Sequence, residues 1–156
     1  MRRTRFFGLS VLLLMTGATS ADNPSRPFKG FVTATWDNVF LALVAPPAHF
    51  TGGGPVTHMG NTTQTGTLGL HAPGASGIVP GDGSVTITAA NGDQLTFDYE
   101  GLLDANTGVG MGTFTFTGGT GRFTHATGAG TFFALIDVSL PDHQPMTVVL
   151  DGRIRY

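Results

Sequence analysis

Apolar residues along most of the chain recur at every second position, the spacing of a strand with one face in a core, rather than at the three- and four-residue spacing of an amphipathic helix. From Gln94 onward, Leu95, Phe97 and Tyr99 fall on one face and Thr96, Asp98 and Glu100 on the other. Val85, Ile87 and Ala89 repeat the pattern, as do Met146, Val148, Leu150, Ile154 and Tyr156. Strands are predicted over 29–36, 38–44, 62–71, 84–90, 94–103, 109–117, 128–139 and 146–156. Turn residues separate them. Asn91-Gly92 is a type I′ hairpin signal, 104–108 is a glycine-closed loop, and Pro141 and Pro145 interrupt the chain before the last strand. The stretch 45–55, with Pro46-Pro47 and Gly52-Gly53-Gly54, reads as a long surface loop.

Eight short strands in meander order leave exposed edges unless the sheet closes, so an antiparallel eight-stranded up-and-down barrel is expected, with a two-sheet β-sandwich as the alternative. Within 109–117 the apolar positions switch from odd (Val109, Met111) to even (Phe114, Phe116), which suggests a bulge or kink at Gly110 and Gly112. Between 131 and 138 both faces are apolar. Phe133 and Leu135 share one face, while Phe132, Ala134, Ile136 and Val138 share the other. Something must cover the outside of that strand, and a homo-oligomer contact fits a barrel wall best.

The N-terminus has a different pattern. Arg2, Arg3 and Arg5 precede an apolar run from Phe6 to Met15, which softens into Thr16, Gly17, Ala18, Thr19, Ser20 and Ala21. That is the layout of a cleaved signal peptide over 1–20, and the run is shorter than the ~20 residues of a membrane span. A single β domain over 21–156, secreted to the extracellular space or periplasm, is the expectation. Without cysteine the chain has neither a lipid attachment site nor disulfides. At roughly 135 residues it is long enough to rely on its core alone.

Loss of the leader leaves Arg26, Lys29, Arg122, Arg153 and Arg155 against ten carboxylates. An acidic domain without a basic stripe does not suit nucleic acid or an anionic membrane surface. Chemistry-bearing constellations are equally scarce. His49, His58, His71, His125 and His143 show no metal-ligand spacing, so no metal and no cofactor is implied. Asp98 and Glu100 share a strand face, which reads as a solvated outer wall, and no Gly-x-Ser-x-Gly elbow exists. No catalytic residue can be named.

Gly118-Gly119-Thr120-Gly121-Arg122-Phe123, followed by Ala126-Thr127-Gly128, resembles a strand-turn-strand motif of the dirigent and allene oxide cyclase superfamily of eight-stranded barrels. The chain is also similar to secreted bacterial proteins that carry this motif with a turn like Asn91-Gly92-Asp93 and a step like His58-Met59-Gly60. The specific motif covers about a dozen residues. The resemblance implies a barrel, with cyclase or isomerase activity as one possible use, and it assigns no role to Arg122. Read mechanically, the motif is a structural turn: Gly119 or Gly121 supplies a positive φ, and Phe123 then enters the core.

Three functional readings follow: a non-catalytic barrel that binds a small apolar molecule, a cyclase- or isomerase-like enzyme, and a structural or surface-interaction protein. The first is favoured by the strand faces, whose apolar residues converge on one axis. Many of the residues between them are threonine and glycine, which supply little volume, and Gly110 and Gly112 thin one wall further. Trp36, His58 and Tyr99 are the candidate orienting groups at the ends of such a cavity.

Overall fold

The structure, a computed structural model, describes residues 23–74 and 76–156. The expected leader and its cleavage point lie outside the described residues. Eight strands run in sequence order: β1 Arg26–Trp36, β2 Ala48–Val56, β3 Gly60–Leu70, β4 Ile78–Ala89, β5 Gln94–Asp104, β6 Val109–Gly119, β7 Thr127–Ile136 and β8 Gln144–Arg155. Each pairs antiparallel with the next, and β1 pairs with β8 from Arg26↔Ile154 to Trp36↔Gln144, so the sheet is a closed barrel. This settles the choice between barrel and sandwich. Closure leaves no strand edge unpaired.

Two segments exchange roles relative to the sequence reading. The alternation of Val39, Leu41 and Leu43 is not a strand but the approach to a short helix, α1 (Leu41–Val44), which lies over one end of the barrel and buries Val39 and Ala42. The expected loop 45–55 is instead mostly β2. Its glycines belong there because β2 is squeezed between neighbours: a Cβ at Gly52 would overlap Thr33 and Ala34 of β1, and one at Gly53 would overlap the Thr62 carbonyl of β3. Composition suggested a loop, but what it marked was close backbone approach.

The parity switch in β6 also has a different cause. Gly110, Gly112, Phe114 and Phe116 all face inward, whereas Val109 and Met111 face outward. The bulge lies further along, where Thr96 pairs with Gly118 but Phe97 pairs with Phe116, leaving Thr117 opposite no residue. The hairpin after β4 turns where expected, but only Gly92 has positive φ, so it is not the two-residue I′ form. β4 begins at Ile78, its first half hidden from the pattern by Gly81 and Gly83.

The interior divides into two halves. At the end holding the β2–β3, β4–β5 and β6–β7 turns, Phe28, Phe97, Phe114 and Phe116 interlock, with ring centroids 4.9 Å apart for Phe28 and Phe116 and 5.0 Å for Phe97 and Phe114. Ile87, Leu95, Phe123 and Ile154 complete this plug, each fully buried. The GGTG segment forms its floor. Gly118 and Gly121 have positive φ, Thr120 exchanges hydrogen bonds with Gln94, and Phe123 packs on Tyr156 at 4.9 Å. Arg122 donates to the His58 carbonyl at 2.6 Å and lies 3.5 Å from Asp93, lacing three turns together.

This arrangement makes the turn mechanical. Gly121 sits at φ +56°, where a Cβ would also overlap the Asp93 carboxylate. Gly121→Val is expected to cost about 1–3 kcal/mol in urea or thermal unfolding. Arg122→Ala should cost less, because half-exposed ion pairs contribute about 0–1 kcal/mol. A neutral Gly121→Val beside a severe Arg122→Ala would overturn this assignment.

Candidate ligand cavity

The other half of the barrel is hollow. A cavity of about 90 Å³ lies among Val32, Leu68, Phe132, Ile136, Met146 and Leu150 and their neighbours. Pairs of lining residues such as Leu103↔Gly110 and Ile136↔Met146 place it toward the end that α1 covers. The asymmetry has a physical cause in the inward glycines. In the plugged half Gly130 and Gly152 face the Phe114 ring, so those spaces are filled. In the hollow half Gly66 faces Phe50, and Gly101 and Gly112 face Phe132, but not every inward glycine there has such a cover. At Gly110 the nearest side chain is Ala134, 3.4 Å from where a Cβ would stand, and the wall there is thin.

Loops are pinned over this end by Gln144, which is fully buried. Its oxygen accepts from the Val39 amide at 2.7 Å and its NH₂ donates to the Leu140 carbonyl at 2.9 Å, tying the segment before α1 to the β7–β8 connection. Asn38 adds a hydrogen bond to the Pro141 carbonyl at 3.0 Å. The cover presents apolar surface outward, with Val44 at 79% exposure and Leu41, Leu43 and Leu140 exposed beside it.

Trp36 and Tyr99 both line the cavity, whereas His58 does not. His58 belongs to the β2–β3 turn at the plugged end, where its Nε2 lies 2.8 Å from the Pro27 carbonyl and its ring 5.7 Å from Tyr156. A turn position identifies a rim residue but not which rim. Trp36 stacks edge-on against Phe50 at 4.6 Å and donates its indole N–H to the Met146 sulfur at 3.1 Å. Tyr99 donates its hydroxyl to the Thr67 carbonyl at 2.8 Å. There the β3–β4 ladder lapses between Gly66↔Val85 and Gly69↔Asp82, and the phenol takes up a carbonyl left without its strand partner. Burial first, and the nearby Asp82 carboxylate second, hold the Tyr99 pKa well above that of an ordinary phenol. Tyr99 is therefore a neutral donor already committed to the wall.

The polar lining residue with unused capacity is Gln64, which sequence reasoning missed. It is only 4% exposed and points inward from the middle of β3. The run Asn61-Thr62-Thr63-Gln64-Thr65 looks uniformly polar, but Gln64 is in phase with Leu68 and Leu70, and that phase was the signal available. Its NH₂ reaches toward Thr62 Oγ1 at 3.5 Å.

Outside the barrel, one half of the wall is apolar. Phe31 of β1 pairs with Val149 of β8, Val149 with Phe133 of β7, Phe133 with Met111 of β6, and Met111 with Leu102 of β5. Every member of this continuous row is 45–53% exposed. The parallel row beside it runs Lys29, Asp151, Thr131, Thr113, Glu100 and Asp82. Asp98 and Glu100 lie on this solvated outer wall, away from the interior. Among the described residues, no group of three histidine, aspartate or glutamate side chains could hold a metal ion. No helix among them is long and apolar enough to cross a membrane.

No family model, curated protein or solved structure matches this chain. Its function must be read from the barrel's own geometry.

Proposed function

We propose that this is an exported, non-catalytic barrel protein that binds a small apolar molecule in its hollow half. The observation that carries the reading is the contrast between the two halves: one is closed by interlocked phenylalanines, and the other is walled by apolar side chains around about 90 Å³ of space. A cavity too large to be filled by its own walls forgoes dispersion contacts that a ligand restores. The space is smaller than the ~150 Å³ apolar cavity that takes benzene but is only half enclosed, so a single small ring or short branched chain is the largest ligand it suits. Tyr99 is the one titratable side chain in the lining, and its proton is engaged. This favours binding over acid–base catalysis of the cyclase kind, which needs a proton donor or acceptor facing the substrate. Titrating toluene while following Trp36 emission should give saturable quenching or enhancement. An unresponsive Trp36, with no heat of binding by calorimetry, would leave a structural role as the better reading.

The outer wall supports a second reading, self-association. A row of half-exposed apolar residues across five adjacent strands is unusual on a wall facing water. The flanking row has Lys29 at one end and Glu100 with Asp82 at the other, so a second copy that runs along the row in reverse brings Lys29 beside the partner's Glu100. Sedimentation at micromolar concentration should show a species larger than the monomer. Phe133→Asp, which places a charge in the middle of the row, should dissociate it while leaving the β-sheet circular dichroism unchanged. A monomeric wild type at high concentration would remove this reading.

A further inference from the structure

We infer that the cavity selects a neutral ligand bearing a hydroxyl, which donates to the side-chain oxygen of Gln64. This rests on the ligand-binding reading above and adds the chemical class.

The orientation of the Gln64 amide follows from its neighbour. Thr62 gives its hydroxyl proton to the Gly54 carbonyl at 2.8 Å, so toward Gln64 its oxygen can only accept. The NH₂ of Gln64 therefore turns to Thr62 and the amide oxygen turns away. That oxygen has no donor among the described residues. No buried side-chain nitrogen or oxygen of those residues is sealed off without a partner, so the oxygen meets the cavity that Gln64 lines. The other two polar side chains are committed, Tyr99 to Thr67 and Trp36 to Met146. An amide oxygen facing apolar walls is costly to leave unmatched, and a ligand hydroxyl satisfies it.

Charge is disfavoured by the same lining. No lysine, arginine, histidine, aspartate or glutamate borders the cavity, so a carboxylate or ammonium group would be buried without a counter-ion. Size limits the apolar part to one ring or a short chain. A phenol or a compact alcohol meets all three conditions.

Calorimetric titration of the wild type and of Gln64→Leu with phenol, toluene and benzoate tests this. In the wild type, phenol and toluene should bind and benzoate should not. Gln64→Leu should weaken phenol relative to toluene by roughly tenfold, because the ligand hydroxyl then enters an apolar site unpaired. If that ratio does not change, or if benzoate binds as tightly as phenol, the inference fails while toluene binding keeps the ligand-barrel reading intact. If the wild type binds neither phenol nor toluene, both fail. Gln64→Met, which keeps the length of the side chain, replaces Gln64→Leu should the latter not give native circular dichroism.

Discussion

Replacing Phe114 by alanine is expected to destabilise the barrel by about 3–5 kcal/mol, the range for removing a buried aromatic ring. Phe114 is 1% exposed and touches three other rings, with centroids 5.9 Å from Phe28, 5.0 Å from Phe97 and 5.3 Å from Phe116. The upper part of the range is expected because Gly130 and Gly152 lie against the ring and have no side chains that could relax into the space. Phe132→Ala offers a contrast. That ring borders the existing cavity and is only partly buried, so part of its surface already lacks neighbours and its loss should cost distinctly less. Urea denaturation of both variants compares the two halves of the barrel directly. A loss below about 1 kcal/mol for Phe114→Ala would mean that the aromatic plug is not what holds that half together.

The barrel was legible in the sequence because strands packed on one core announce themselves by their period, and β5 and β8 do so over much of their length. Segments whose backbones approach closely do not. β2 was hidden because the glycines that let it fit between β1 and β3 are also the residues of loops, and α1 because three apolar residues at alternate positions are too few to distinguish a strand from the entry to a helix. In β6 the rule that apolar means inward failed at Val109 and Met111, which face outward. The candidate site was half legible. Trp36 and Tyr99 were identifiable as large side chains with a polar tip on inward strand faces, whereas Gln64 was lost in a polar run. His58 was misplaced for a reason no local pattern reveals. Which end of the barrel is hollow depends on which inward glycines are covered by side chains from other strands, as Gly130 is by Phe114 in the plugged half while Gly110 has no side chain nearer than Ala134 in the hollow one.

Filling the cavity from its own wall should abolish binding without unfolding the barrel. Val148 lies on β8 opposite Val32 of β1 and Ala134 of β7, and all three line the hollow half. A phenylalanine at 148 would direct its ring into space that no side chain occupies, so the usual cost of overpacking should be absent. Its added contacts should leave stability unchanged or raise it by up to about 1 kcal/mol, as cavity-filling substitutions commonly do. The same ring would take the volume available to a ligand, and toluene affinity should fall by roughly a hundredfold, equivalent to about 2.8 kcal/mol. Val149→Phe serves as the control, because Val149 faces outward in the apolar row and should leave toluene binding as it was. Thermal unfolding and calorimetry on the two variants separate the outcomes. A Val148→Phe barrel that is stable and still binds toluene at wild-type affinity would place the binding site somewhere other than this cavity.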